Sequence, residues 1–201
     1  QKLRKYINKY INLIFVLLPV IFWGLSFIST KVVLREMPPI SIAFFRQLIA
    51  LVPLVGWGIL TRSSFRIEPK DVLKLAFSSF FCIVLYFVFE NSGLMHTTAS
   101  TASMIVAAVP VFTFLVEMLL YKYKPRLSVF LCIFMSISGV YLVISVNGKL
   151  DFSSASFKGN ILILGAMASW IIYTILSRGL SSRYSSHTIT LYQTLLSSFL
   201  F

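Results

Sequence analysis

The chain has 201 residues, of which 58% are hydrophobic and only 12% charged, with a net charge of +12. So apolar a composition excludes an ordinary soluble domain and makes lipid the solvent. The positive charge would suit a nucleic acid only if it formed one face, and the cations instead fall between apolar runs.

A membrane-spanning helix needs about 20 mostly apolar residues. After a basic segment, residues 1–10, the first such stretch runs from Leu13 to Leu34. Lys31, Arg35 and Pro38-Pro39 follow it in place of a small-residue cleavage site, so the sequence predicts a retained helix and not a signal peptide. The second span, Ile40 to Leu60, carries Arg46 at a depth where a cation needs a partner or a watery cavity. The third, Val72 to Gly93, holds Cys82 and Glu90. Glu90 falls at the depth of Arg46 in an antiparallel neighbour, which predicts an ion pair; binding a coupling proton or a substrate amine is its alternative role.

In the fourth span, Ala99 to Tyr121, Ser103, Ala107, Pro110, Phe114 and Glu117 recur at three- and four-residue spacing and share one helix face. Such a stripe suits a cavity wall, with Pro110 freeing a backbone carbonyl, or close helix packing with a bend. Glu117 is expected to reach the headgroups beside Lys122 and Lys124. The fifth span runs from Leu127 to Val146 and contains Cys132; the sixth runs from Ile161 to Leu180; a seventh starts near His187 and is still apolar at Phe201. Both cysteines read as small hydrophobes, and His96 and His187 as solvated connection residues. Every span exceeds the roughly 9 to 11 residues of a barrel strand and lacks strict alternation. The fold class is therefore all-α, a polytopic membrane helix bundle.

Lys2, Arg4, Lys5 and Lys9 precede span one, Arg62, Arg66, Lys70 and Lys74 join spans two and three, Lys122, Lys124 and Arg126 follow span four, and Arg178 and Arg183 follow span six. The alternate connections hold only Lys31, Arg35, Lys149 and Lys158. This bias predicts a multi-pass protein of the cell membrane with its N-terminus in the cytoplasm, its cations serving topology and headgroup contact.

Sliding the sequence by 147 positions lays spans one and two on spans six and seven without a gap. Trp23 then meets Trp170, Lys31 meets Arg178, Ser41 meets Thr188, Phe45 meets Tyr192 and Arg46 meets Gln193. Five spans separate equivalent points, so the second copy enters the membrane from the opposite side. An inverted repeat of this kind is common in secondary transporters, where two bundles rock about a midplane site. Residues 11–146 form the first repeat and residues 147–201 the start of a second, truncated one. Trp23, Ser26 and Thr30 make a stripe mirrored by Trp170, Tyr173 and Ser177, and both tryptophans lie near the midplane, which favours a shared cavity over interfacial anchoring.

The run Thr97 to Ser103, the block Pro110-Val111-Phe112-Thr113 and Gly139-Val140 closing span five resemble, in order and spacing, the EamA family of the drug/metabolite transporter superfamily. Phe22-Trp23-Gly24-Leu25-Ser26 resembles the family's first helix, and Ala168-Ser169-Trp170-Ile171-Ile172-Tyr173 the start of its second repeat. The chain departs from the family pattern after span four, where Lys122 and Tyr123 replace Gly-Glu, so no role of that glutamate carries over. The resemblance implies a ten-helix carrier of two five-helix repeats around a central cavity, moving amino acids, other metabolites or toxic compounds. About six and a half of those helices fall within this sequence.

The substrate-binding residues this reading points to are Trp23, Ser26, Thr30, Ser103, Ala107, Pro110, Trp170 and Tyr173, with Arg46 and Glu90 as an ion pair or coupling site. No paired intramembrane aspartates, metal-ligand spacing or Gly-rich phosphate loop is present, so neither enzymatic chemistry, nor a cofactor, nor primary ATP-driven pumping is expected. The expected partners are the bilayer and a small-molecule substrate. A non-transporting membrane scaffold or assembly subunit is the alternative.

Overall fold

The computed structural model describes residues 2–62, 65–122, 125–145 and 154–201, with side chains from Leu13 onward except Val16. The expectations placed on the side chains of Lys2, Arg4, Lys5 and Lys9, on Tyr123, Lys124, Val146 and Lys149, and on the repeat boundary after residue 146 lie outside the described residues.

The regular structure of the described residues is all helix, with no strand among them. The first span is α1 (Lys2–Val33) and the second α2 (Pro39–Leu60). The third is one continuous rod, α3 (Pro69–Ser79), a π-helical turn over Phe80–Leu85, and α4 (Tyr86–His96). The fourth is α5 (Ala99–Ala107) followed by α6 (Val109–Tyr121), the fifth α7 (Leu127–Ile144), the sixth α8 (Ala155–Ser177) and the seventh α9 (Ser186–Leu200). Six of these spans are long and apolar enough to cross a membrane.

Local chemistry sets the boundaries. Pro39 and Pro69 open α2 and α3 at the first helical position, where no N–H is needed and a fixed φ is already helical. Thr98, Ser154 and Ser185 cap α5, α8 and α9 by accepting from the backbone N–H three residues on. Pro110 lacks the N–H that would continue the ladder, and the fourth span breaks just before it, between α5 and α6.

The centre of the bundle is the contact of α8 with α4, flanked by α5 and α6 on one side and by α3 and α9 on the other. Lipid tails are as apolar as leucine, so helices in a membrane associate through close packing and polar links more than through apolar burial. Two glycines provide the closest approach. A Cβ at Gly159 would stand 2.8 Å from the Gly93 carbonyl oxygen and 2.8 Å from the Thr97 nitrogen, and one at Gly93 would stand 2.9 Å from the Gly159 carbonyl oxygen. Phe27, Leu94, Ala102, Ile105, Val106, Ile163 and Met167 fill the space beside this crossing.

Hydrogen bonds across this crossing fix the helix directions. Lys31, near the end of α1, donates to the carbonyl oxygens of Leu94 and Thr97, the latter at 2.8 Å. The Thr97 hydroxyl donates to Asn160 Oδ1 at 2.7 Å, near the start of α8. The end of α1 and the start of α8 therefore lie together, and the two helices run in opposite directions. His187, in the first turn of α9, hydrogen-bonds the Leu54 carbonyl late in α2 at 2.9 Å, so α2 and α9 are likewise opposed.

Candidate solute site

Where α1 crosses α8, Trp23 meets Trp170 with ring centroids 5.9 Å apart and planes tilted by 37°. Trp170 also contacts Tyr86 at 5.4 Å and Tyr173 at 5.1 Å, both edge-on. Offset and edge-to-face aromatic pairs of this kind add about 0.5–1.5 kcal/mol each beyond area burial. Three of the expected substrate contacts, Trp23, Trp170 and Tyr173, thus converge on one cluster, with Tyr86 as a member that the sequence reading missed.

Glu90 lies one turn beyond Tyr86 on the same helix face and is only 1% exposed. Neither Glu90 Oε2 nor Tyr86 Oη makes a hydrogen bond of normal geometry to protein. Buried polar atoms are almost always paired, because desolvating one without a partner costs several kcal/mol in round terms, ~2–7. The two groups instead face each other, and Tyr86 also faces Trp23, so the buried carboxyl and phenol interact mutually beside Trp23, Trp170 and Tyr173.

The expected Arg46–Glu90 ion pair is not formed. Among the described residues the ion pairs are Glu68–Lys70, Glu117–Arg178 and Asp71–Arg183. The Arg46 guanidinium sits 4.4 Å from the centroid of the Phe87 ring and donates to Thr30 Oγ1 at 3.4 Å. It acts on Glu90 only through space. The antiparallel registration itself is as expected, since Asn91 donates to the Pro39 carbonyl at 2.9 Å and Arg46 meets Phe87 from the same two spans. A residue's depth does not determine its azimuth: Glu90 turns toward the interior, and Arg46 toward a cavity.

That cavity, about 670 Å³, opens between α1 and α2. Ser26, Ser29, Thr30 and Arg46 are its polar lining, and Phe22, Leu25, Phe45 and Ile49 are among its apolar walls. Ser26 and Thr30 therefore belong to a different space from Trp23, and the Ser26 hydroxyl is taken up by the Trp23 carbonyl at 2.6 Å.

The stripe on the fourth span is also redistributed. Pro110 and Phe114 line a cleft of about 270 Å³ between α6 and α7, together with Cys132. Ala107 is exposed, and the Ser103 hydroxyl returns to the Ser100 carbonyl at 2.9 Å. The residues that α5 and α6 turn inward are Ala102, Ile105, Val106 and Val109. The stripe is thus divided between the cleft against α7 and the exterior.

Several cations and acids do more than topology requires. Glu117 pairs with Arg178 at 3.5 Å, and the Arg178 guanidinium lies 4.8 Å from the Tyr121 ring centroid, so neither side chain simply reaches for headgroups. Asp71 is in the first turn of α3; it accepts from Arg183 at 2.9 and 3.1 Å and from the Tyr184 hydroxyl at 2.8 Å. The hydrogen bond and the charge of Asp71 hold the Arg183 guanidinium above its ordinary pKa. His187 is not solvated: it packs beside Phe65 and Gly58 while bonding α2. His96 ends α4 and does not stand in the connection after it.

A buried polar seam completes the inner surface. The Ser78 hydroxyl lies 2.9 Å from that of Ser177 and receives Gln193 Nε2 at 2.6 Å, while Ser79 donates to the Gln193 carbonyl at 2.7 Å. Serines and glutamines carry no strong sequence signal, and only their convergence from three spans reveals the seam.

Six long apolar helices make this a multi-pass membrane protein. The profile of the EamA-like transporter family matches residues 11–145, and the chain belongs to that family. It is 29% identical over 87% of its length to an "Uncharacterized transporter" of Archaeoglobus fulgidus, covering 60% of that protein. It is 31% identical over 83% of its length to "Uncharacterized transporter YcxC" of Bacillus subtilis, covering 53% of it. A protein of Escherichia coli named "Probable amino-acid metabolite efflux pump" is 26% identical over 83% of the chain, which again covers 53% of that relative. The chain thus spans between half and two thirds of the length of these curated relatives. No solved structure matches it significantly.

Proposed function

We propose that this chain forms the first repeat and the beginning of an inverted second repeat of a secondary transporter, which exports small amino acid-like or drug-like metabolites across the cell membrane by alternating access. The observation that carries this reading is the meeting of Trp23 and Trp170 between oppositely directed helices, with Tyr86 and the buried Glu90 carboxyl beside them. Two equivalent helices that cross head to tail at an aromatic contact supply the pivot that a rocking mechanism requires. The aromatic faces suit an apolar body or an organic cation, and Glu90 suits a proton or an amine. The efflux named for the E. coli relative supports the outward direction, and the basic connections support a cytoplasmic N-terminus.

The test is flux of amino acids, nucleosides and cationic drugs by the full-length protein in proteoliposomes. Trp23→Ala and Trp170→Ala are expected to lower flux at least tenfold while the protein remains folded, and Glu90→Gln to flatten its pH dependence. Flux that survives both tryptophan substitutions overturns the site. Co-purification with a partner and no flux of any solute would leave the scaffold reading in its place.

A further inference from the structure

Tyr86 and Glu90 stand one turn apart on α4, with 2% and 1% of their surface exposed, and they face each other. Neither Tyr86 Oη nor Glu90 Oε2 has a partner of normal geometry elsewhere. Tyr86 also faces Trp23 of α1, and both of these rings contact Trp170, at 5.4 and 5.9 Å. The phenol therefore stands between a buried acid and the indole of a ring in the solute cluster. Arg46 of α2 is the other charged group that acts on Glu90. Lys31 of α1, near the next turn of α4, is taken up by the Leu94 and Thr97 carbonyls. Among the described residues, α5 and α8 bring no titratable side chain to the carboxyl.

These three groups cannot arrange their hydrogen atoms alike in both protonation states of the acid. An indole N–H only donates, an ionised carboxylate only accepts, and a phenol does each. With Glu90 ionised the order is fixed: the indole N–H points to the phenol oxygen, and the phenol hydrogen to the carboxylate. A phenol that donates to an anion is polarised into a better acceptor, so the indole is held more firmly. With Glu90 protonated, the acid donates to that same oxygen, competes with the indole and turns the phenol hydrogen away.

We propose that Tyr86 is a positioning residue that transmits the protonation state of Glu90 to Trp23, holding the indole when the acid is ionised and releasing it when the acid is neutral. The inference rests on the carrier reading of this cluster and deepens it. A proton and a solute that both act on Trp23 are linked without having to occupy the same place.

Full-length protein labelled with 5-fluorotryptophan tests this by fluorine NMR, the Trp23 signal being the one lost in Trp23→Phe. Infrared difference spectra follow the Glu90 carboxyl through the band lost in Glu90→Gln. In the unsubstituted protein the two are expected to titrate together. In Tyr86→Phe, which keeps the ring, the carboxyl band is expected still to titrate while the pH-dependent shift of the Trp23 signal falls at least fivefold. A Trp23 signal that ignores pH in the unsubstituted protein, a carboxyl that does not titrate, or a Trp23 signal that still follows it in Tyr86→Phe overturns the proposal. Should Tyr86→Phe not fold, 2-naphthylalanine at position 23, which keeps an aromatic body and lacks the N–H, is expected to move the carboxyl titration to higher pH; an unmoved titration overturns the proposal. If Trp23 follows Glu90 through Tyr86 and no solute is transported, the carrier reading falls alone. If flux depends on Trp23 and Trp170 while the Trp23 signal ignores Glu90, the relay falls alone.

Discussion

At one end of the bundle, around Lys31, Gly93, Thr97 and Asn160, the spans meet through backbone: two glycines bring α4 and α8 into contact, and the Lys31 ammonium closes the last carbonyls of α4. At the other end, around Asp71, Arg183 and Tyr184, they meet through charged and hydroxyl side chains, with the Arg183 side chain about half exposed at 52%. A helix crossing built on glycine cannot be loosened without losing its van der Waals contact. Asp71 is itself buried, with its side chain 9% exposed, but its Arg183 partner is half exposed. This ion pair can therefore exchange partners for water at less cost than a fully buried one. The contrast makes the Lys31 end the fixed junction and the Asp71 end the separable one.

Substitutions at the two ends should therefore differ in kind, and the first sharpens the contrast most. Gly159→Val places a branched side chain against the Gly93 carbonyl and the Thr97 nitrogen, both 2.8 Å from its Cβ position. The expected loss is at or above about 3 kcal/mol, the upper range of overpacking, read as a collapse of thermal stability in detergent. Lys31→Met uncaps α4 and should cost about 1.5–3 kcal/mol, as charge-assisted hydrogen bonds do, in the same assay. Midway between the ends, Gln193→Leu leaves Ser78 without its donor and should cost about 1–2 kcal/mol. The smallest effect on stability belongs to Asp71→Asn, whose Arg183 partner is half exposed, yet under the proposed alternating-access reading this change should alter flux in proteoliposomes by favouring the state open at that end. An Asp71→Asn protein as unstable as Gly159→Val would break the comparison.

The sequence told more about spans than about faces. Apolar runs located the helix cores within a few residues, and the 147-residue shift anticipated that Trp23 and Trp170 belong together, because both follow from patterns along the chain. The stripe through Ser103, Ala107 and Pro110 had a correct periodicity but no indication of which neighbour it meets, and the structure turns much of it toward α7 and the outside. Lys31 looked like one more topological cation because its acceptors lie more than sixty residues away. Gly93 and Gly159 carried no signal of their own, since glycine is common in membrane helices and only their mutual approach distinguishes them. The buried Glu90 carboxyl stood out by its depth, but its separation from Arg46 depends on rotation about the helix axis.

The π-helical turn at Phe80–Leu85 governs that rotation for the whole third span. Each residue advances an α-helix by about 100°, so an extra one spliced into the pitch gives the rod two independent bearings. Ser78 and Ser79 address the seam with α8 and α9, while Tyr86 and Glu90 address the tryptophans, and neither pair dictates the aim of the other. A single-residue deletion between them would swing one set out of alignment with its neighbours while leaving every side chain of both sets chemically intact.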